Sequence, residues 1–386
     1  MASQYSHKHF FRRIPNFQLN NYFSSKNIDL GINFNNITEK DADAIFTAFT
    51  QLPENQQALI EAEFQDIHAM ASEGGVNALI DEAYFFQDET FVDEIAAIDG
   101  FHAKVMRAFL EKHQYWLGAT MFLHADNVSS SFWKKRNDLP SVPPHVDDRS
   151  ISALANSISN YFHSKEGRGR NCKVEPYRRH NKEYFFAYPE DYGQSGVEWV
   201  RDSLQNRAHH PAFEIIFVYC EKEGSLDIYA PKNTKAVPEL QKIFAKSILK
   251  LETLKDGSID KRVYNLDPIA DQNFKFQIES DTGVEQILIT GLRLTLKHGT
   301  KRRIGLEADT KTNPNAVYDL LAKLNPPEHY ITRTRIKVLF EPKPGKRAKT
   351  RTFNITHPNS CALNYDGDDL IIRQILEKSG IEPKLL

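Results

Sequence analysis

The stretch from Ser150 to Tyr188, SISALANSISNYFHSKEGRGRNCKVEPYRRHNKEYFFAY, decides the fold. In its first half Ile151, Leu154, Ala155, Ile158, Tyr161 and Phe162 recur at i, i+3, i+4 and i+7, the apolar stripe of a half-buried helix. Gly167-Arg168-Gly169-Arg170 closes that helix. Beyond it the period falls from 3.6 to 2 and the composition turns β-branched and aromatic. Strands are predicted over 174–179 and 183–188, around a turn at His180-Asn181. The chain changes here from helical to strand-rich.

Downstream, one order of elements repeats. The first strand pair is followed by an expected helix over 197–204. Strands at 213–220 and 226–230 precede a helix over 237–251, and strands at 286–296 and 303–308 precede one over 315–324. The last pair, 331–340 and 350–355, leads to a helix over 369–380, which should turn Leu370, Ile371, Ile375 and Leu376 onto that hairpin. Strand–turn–strand–helix units in series predict an α+β fold with helices covering one face of largely antiparallel sheet. An internal duplication could underlie this order, although the unit spacings differ and the residues match poorly.

Upstream the pattern is helical. Thr38 and Asp41 have capping-box spacing ahead of Ile45, Phe46, Phe49 and Leu52. Further helices fit 54–72, ended by Gly74-Gly75, then 77–86, 90–98 and a segment starting near Gly100. The stretch 126–148, with Ser129-Ser130-Ser131, Pro140 and Pro143-Pro144, breaks the pattern. Two domains are expected: an all-helical, acidic one over 1–147 and a basic α+β one over 148–386, which could divide again near 255–270.

The charge supports that division. The net charge is −2, yet residues 26–110 hold four Lys or Arg against sixteen Asp or Glu. That segment carries −12 and the rest of the chain +10. A basic unit suits polyanions, and an acidic one could bind a protein partner or cover the basic one. No run nears the ~18 apolar residues of a membrane span, and no apolar segment follows the basic residues of 1–13, so neither a membrane partner nor a secretory signal is expected. Cys172, Cys220 and Cys361 are far apart and odd in number, which fits reduced thiols in the cytoplasm better than disulfides or a zinc site.

Among candidate sites the basic clusters stand out. Arg168, Arg170, Arg178, Arg179 and Lys182 run among Tyr177, Tyr184, Phe185, Phe186 and Tyr188. Guanidinium groups beside rings could neutralise phosphates and stack bases. Strand alternation puts Tyr184 and Phe186 on one face and Phe185 and Ala187 on the other, so at least one pair belongs to the core. The turns 297–303 and 343–351 add Lys301, Arg302, Arg303, Lys346 and Arg347. Basic turns also serve to keep edge strands soluble.

Signals for catalysis are thinner. Asp281, Asp309 and Lys311 have the residue types of a metal-dependent nuclease, in which carboxylates hold Mg²⁺ and the lysine orients water. Glu341-Pro342-Lys343 has the same triplet, but its proline lacks a ladder donor. His145 and Asp147, with His209 or His210, have partial facial-triad spacing, though Asp147 or Asp148 also suits the cap of the following helix. Nucleophile-elbow, phosphate-loop, dinucleotide-binding, EF-hand and zinc-protease spacings are missing. The expectation is a non-catalytic cytoplasmic binding module within a larger assembly, for nucleic acid or a partner protein, with no cofactor. The alternatives are a metal-dependent nuclease or phosphodiesterase needing Mg²⁺, and a purely structural or interaction protein.

Overall fold

The computed structural model describes residues 5–39, 41–129, 132–200, 202–254, 263–298, 302–342, 349–363 and 367–382. The chain forms two compact units, Met1–Val128 and Ser129–Leu386.

The first unit is helical. Among its described residues the helices are α1 (His7–Phe11), α2 (Asn16–Ser25), α3 (Ala42–Phe49), α4 (Glu54–Met70), α5 (Glu73–Phe85), α6 (Glu89–Ala97), α7 (Phe101–Glu111) and α8 (His113–Asn127). Their core gathers around the fully buried Phe64 of α4. Its ring stacks on Phe10 at 4.5 Å and meets Tyr22 at 4.8 Å, with Phe11, Phe23 and Phe49 around it. Asp41 caps α3, its carboxylate accepting from Asp43 N–H at 3.2 Å. Gly74-Gly75, expected to end a helix, instead lie in the first turn of α5. A side chain on Gly75 would collide with the Met70 carbonyl, its Cβ falling 2.0 Å from that oxygen, so glycine is what permits the abrupt turn from α4.

The second unit begins earlier than expected. Strand β1 (Trp133–Arg136), inside the stretch assigned to the helical domain, pairs antiparallel with β7 (Ser225–Tyr229). The two units divide after Val128, within the stretch 126–148 that breaks the helical pattern, and β1 draws most of that stretch into the second unit. Helix α9 (Asp148–Glu166) follows as its apolar stripe predicts. The first sheet has the spatial order β1-β7-β6-β3-β2, with β2 (Cys172–Arg179), β3 (Lys182–Pro189) and β6 (Ile215–Cys220). Phe185, Phe217 and Ile228 on one face pack with α9 and α10 (Val237–Ser247).

The segment expected to be a helix at 197–204 is a hairpin of β4 (Gln194–Val200) and β5 (Ser203–His209). Val197, Val200 and Leu204 imitate helical spacing, but Trp199 instead faces Leu204 across the turn. Only three of the four expected units therefore carry a helix.

The second sheet has the order β12-β11-β10-β8-β9. Its strands are β8 (Val284–Leu296), β9 (Arg303–Glu307), β10 (His329–Phe340), β11 (Thr350–Thr356) and β12 (Ser360–Cys361). Helices α11 (Ala316–Leu324) and α12 (Gly367–Lys378) share its core, where Leu292, Leu294, Ile336, Val338 and Phe353 are buried. The buried residues of α12 include Ile372, Ile375 and Leu376, whereas Leu370 and Ile371 are only half-buried. The expected face was displaced by one residue, since the apolar run Leu370–Ile372 fits two helical stripes. Leu294, Leu292, Ile336 and Val338 alternate with residues that face the opposite side of the sheet, and that side carries the candidate site.

Candidate nucleic-acid interface

The basic residues that look alike in the sequence occupy different environments. Arg168 is largely buried: it pairs with Glu166 at 2.7 Å and Asp191 at 2.9 Å and lies 4.1 Å from the centre of the Phe213 ring. Arg179 and Lys182 are buried, and Lys182 points at Glu223, 3.5 Å away. Tyr184, Phe185 and Phe186 are all buried, so both faces of β3 are covered and no open stacking platform forms there. Arg168, Arg179 and Lys182 thus belong to the internal packing and ion pairs of the unit, a correction to their expected surface role. Arg179 and Lys182 face each other at the ends of β2 and β3 in a sheet buried on both sides, whereas Arg168 lies in the loop ahead of β2, held by its two carboxylates and the Phe213 ring.

Arg178 and Arg170 do face solvent. Arg178 meets Glu183 at 3.4 Å. Arg170 lines an open polar cleft of about 600 Å³ with Asn171, Lys173, Glu190 and His210. In that cleft Glu190 accepts from Asn171 and pairs with His210 at 3.3 Å. Arg302 and Arg303 are exposed at the start of β9. Lys301, Lys346 and Arg347 lie outside the described residues.

Among the described residues, a concentration of positive charge on the second sheet includes residues that the sequence clusters do not contain. Strands β8 and β10 pair so that Arg293 faces Arg333, and β9 places Gly305 beside Arg293. Two residues along, Arg335 faces Gly291 on one side and Asn354 of β11 on the other. Lys337 follows on the same face of β10, with Thr352 opposite it. Arg303 stands at the end of β9, opposite Thr295. Five cations, Arg293, Arg303, Arg333, Arg335 and Lys337, therefore project from the sheet face turned away from its helices.

Glu307 meets Arg335 across this face at 3.5 Å, an exposed pair worth little. Among the described residues no carboxylate pairs with Arg293, Arg303 or Arg333. Burial pushes the Arg293 guanidinium below its ordinary pKa, and the Arg303 and Arg333 charges push it the same way. Arg293, Arg333 and Arg335 surround a groove of about 340 Å³ floored by Gly291 and Gly305. The arrangement offers concentrated, weakly compensated positive charge to an anion.

The signal for this site was present as alternation. Thr332-Arg333-Thr334-Arg335-Ile336-Lys337 places every cation at odd numbers, on one face of an extended chain. Nothing in that string links it to Arg293, which is forty residues away and joins only through the β8–β10 ladder.

The catalytic candidates are dispersed. Asp309 forms a turn in which its carboxylate accepts from Lys311 N–H at 3.0 Å. Ala308 beside it donates to Thr290 of β8, six residues along that strand from Val284, which itself follows Asp281. At ~3.3 Å per residue, six residues of strand separate the two ends by ~20 Å. Asp281 and Asp309 are not brought into one metal site. Asp147 caps α9, accepting from Ser150 N–H at 3.0 Å and Ser150 Oγ at 2.7 Å. Among the described residues no group of three or more His, Cys, Asp or Glu is placed to hold a metal ion, and no helix is long and apolar enough to cross a membrane.

Compared with known proteins, the chain matches no family model and no curated sequence.

Proposed function

We propose that the chain is a non-catalytic module that binds nucleic acid through the basic face of its second sheet. The observation that carries this reading is the convergence of Arg293, Arg303 and Arg333 from three strands without a paired carboxylate among the described residues. A folded protein does not gain stability from crowding three guanidinium groups, so an external anion is the natural counter-charge. Arg335, Lys337, Arg302 and the solvent-facing Arg178 and Arg170 extend the positive surface. The three cysteines are free thiols, which supports a reducing, cytoplasmic setting. The acidic helical unit suits a basic protein partner in a larger assembly.

The test is fluorescence anisotropy with labelled DNA at several salt concentrations. Replacing Arg293, Arg333 and Arg335 together by Ala should flatten the log–log salt dependence by up to about 2.7 on duplex DNA, at roughly 0.9 per lost phosphate contact. Unchanged affinity and slope in a folded triple variant would remove this face from the binding site. Including Mg²⁺ and then a chelator in the same assay tests for cleavage, which the separation of Asp281 from Asp309 argues against.

A further inference from the structure

We infer that this face receives the sugar–phosphate backbone of a duplex, with the bases turned away from the protein and unread. The inference rests on the binding proposed above and concerns what kind of nucleic acid is bound. Across the sheet the central rows run Gly305, Arg293, Arg333, Thr356 and Glu307, Gly291, Arg335, Asn354. These rows hold three arginines, two glycines, the short polar Thr356 and Asn354, and one carboxylate, Glu307, which pairs with Arg335, with no ring. Proteins that read splayed bases from a sheet present aromatic side chains at its centre, because every base needs a π-face to stack on. Here the exposed ring is Tyr330, at the end of β10 opposite Thr295 and beyond the arginine rows.

The polar geometry favours phosphates over bases. Alternate residues along a strand stand roughly 6.6 Å apart, so Arg333, Arg335 and Lys337 repeat on the scale of successive phosphates in one nucleic-acid strand. The open floor at Gly305, where a side chain would meet no atom within 4 Å, lets a backbone settle beside the Arg293 and Arg333 guanidinium groups. A strand held by its phosphates keeps its base edges outward and free to pair. A second strand is then accommodated without touching the sheet, and sequence carries no direct information at the interface.

The full chain is titrated with duplex DNA, duplex RNA of matched sequence, a DNA duplex of scrambled sequence and one separated DNA strand. The two DNA duplexes should bind alike, and both more tightly than the single strand. For three phosphate contacts, duplex affinity should fall about 40-fold between 50 and 200 mM salt. The RNA arm shows whether B-form or A-form spacing fits better, and binding to either duplex above the single strand supports the inference. Gly305→Val fills the groove and leaves every charge in place. A Cβ at Gly305 meets no atom within 4 Å, so the variant should fold and lose duplex affinity several-fold. Tyr330→Ala should leave duplex affinity unchanged. Single-strand binding equal to or tighter than duplex binding, lost in Tyr330→Ala, would overturn the inference while keeping the binding function. Absence of binding to all four probes would defeat the underlying function and the inference with it.

Discussion

Replacing Lys135 by Met tests whether the second unit is held by a buried ion network. Lys135 of β1 is 6% exposed, and its ammonium lies 3.0 Å from Glu223, 3.8 Å from Asp227 and 3.8 Å from Glu382. Lys182 approaches Glu223 at 3.5 Å, and Arg373 holds Glu382 at 2.8 Å. The network joins the first sheet to the chain beyond α12, and Lys135 N–H also donates to the Asn359 carbonyl, next to β12. Burial alone would raise the Glu223 carboxyl, but Lys135 and Lys182 outweigh it and hold that pKa far below the usual range. Methionine matches the lysine stem in volume, so little cavity forms and the loss is mainly electrostatic. Removing one partner of a buried pair costs about 3–5 kcal/mol, and the partners left to Glu223 and Glu382 place this variant near the lower end, about 3 kcal/mol. With a urea dependence of ~2 kcal/mol per molar, the midpoint should fall by about 1–2 M. Because the chain has two units, hydrogen exchange of the β6 and β7 amides is the appropriate probe of this one. An unchanged midpoint in Lys135→Met would refute the reasoning.

Three further outcomes are expected. His102 is buried in the helical unit with its Nε2 3.0 Å from His68 Nδ1, and burial, followed by the charges of His68, Arg13 and His9, lowers its pKa to about 4. A base whose folded pKa lies below its unfolded value of about 6.5 stabilises the fold above pH 6.5, and that contribution, about 3 kcal/mol, is lost progressively as pH falls from 6.5 to 4. Melting followed at Trp116, which lies in this unit, should show the decline, and His102→Gln should flatten it. Arg168→Ala should destabilise the second unit by about 2 kcal/mol through lost ion pairs and ring contacts while leaving the salt slope of DNA binding intact, whereas Arg333→Ala should do the reverse. Thermal melts and anisotropy on the same preparations separate the two. Asp147→Ala removes the cap of α9 and should cost about 1 kcal/mol, read as a lower melting temperature of the second unit.

The order of elements was legible because it is written locally. The 3.6-residue stripe of Ile151 to Phe162, the cap at Asp147 and the period-2 strands after Cys172 each depend on neighbours within one or two turns of chain. That suffices for an α+β fold with helices first and strands after. Local signals failed where two periods coincide: Val197, Val200 and Leu204 fit a helix by spacing but form a hairpin by pairing. They failed also where charge was the clue. Arg168, Arg179 and Lys182 are as basic in the sequence as Arg333 and Arg335, yet the first three are enclosed by carboxylates, rings and sheet. Whether a cation meets solvent depends on which face of which strand carries it and what covers that face. The β8–β10 register decides that for Arg293 and Arg333, and no segment of the chain shorter than the ladder itself contains that information.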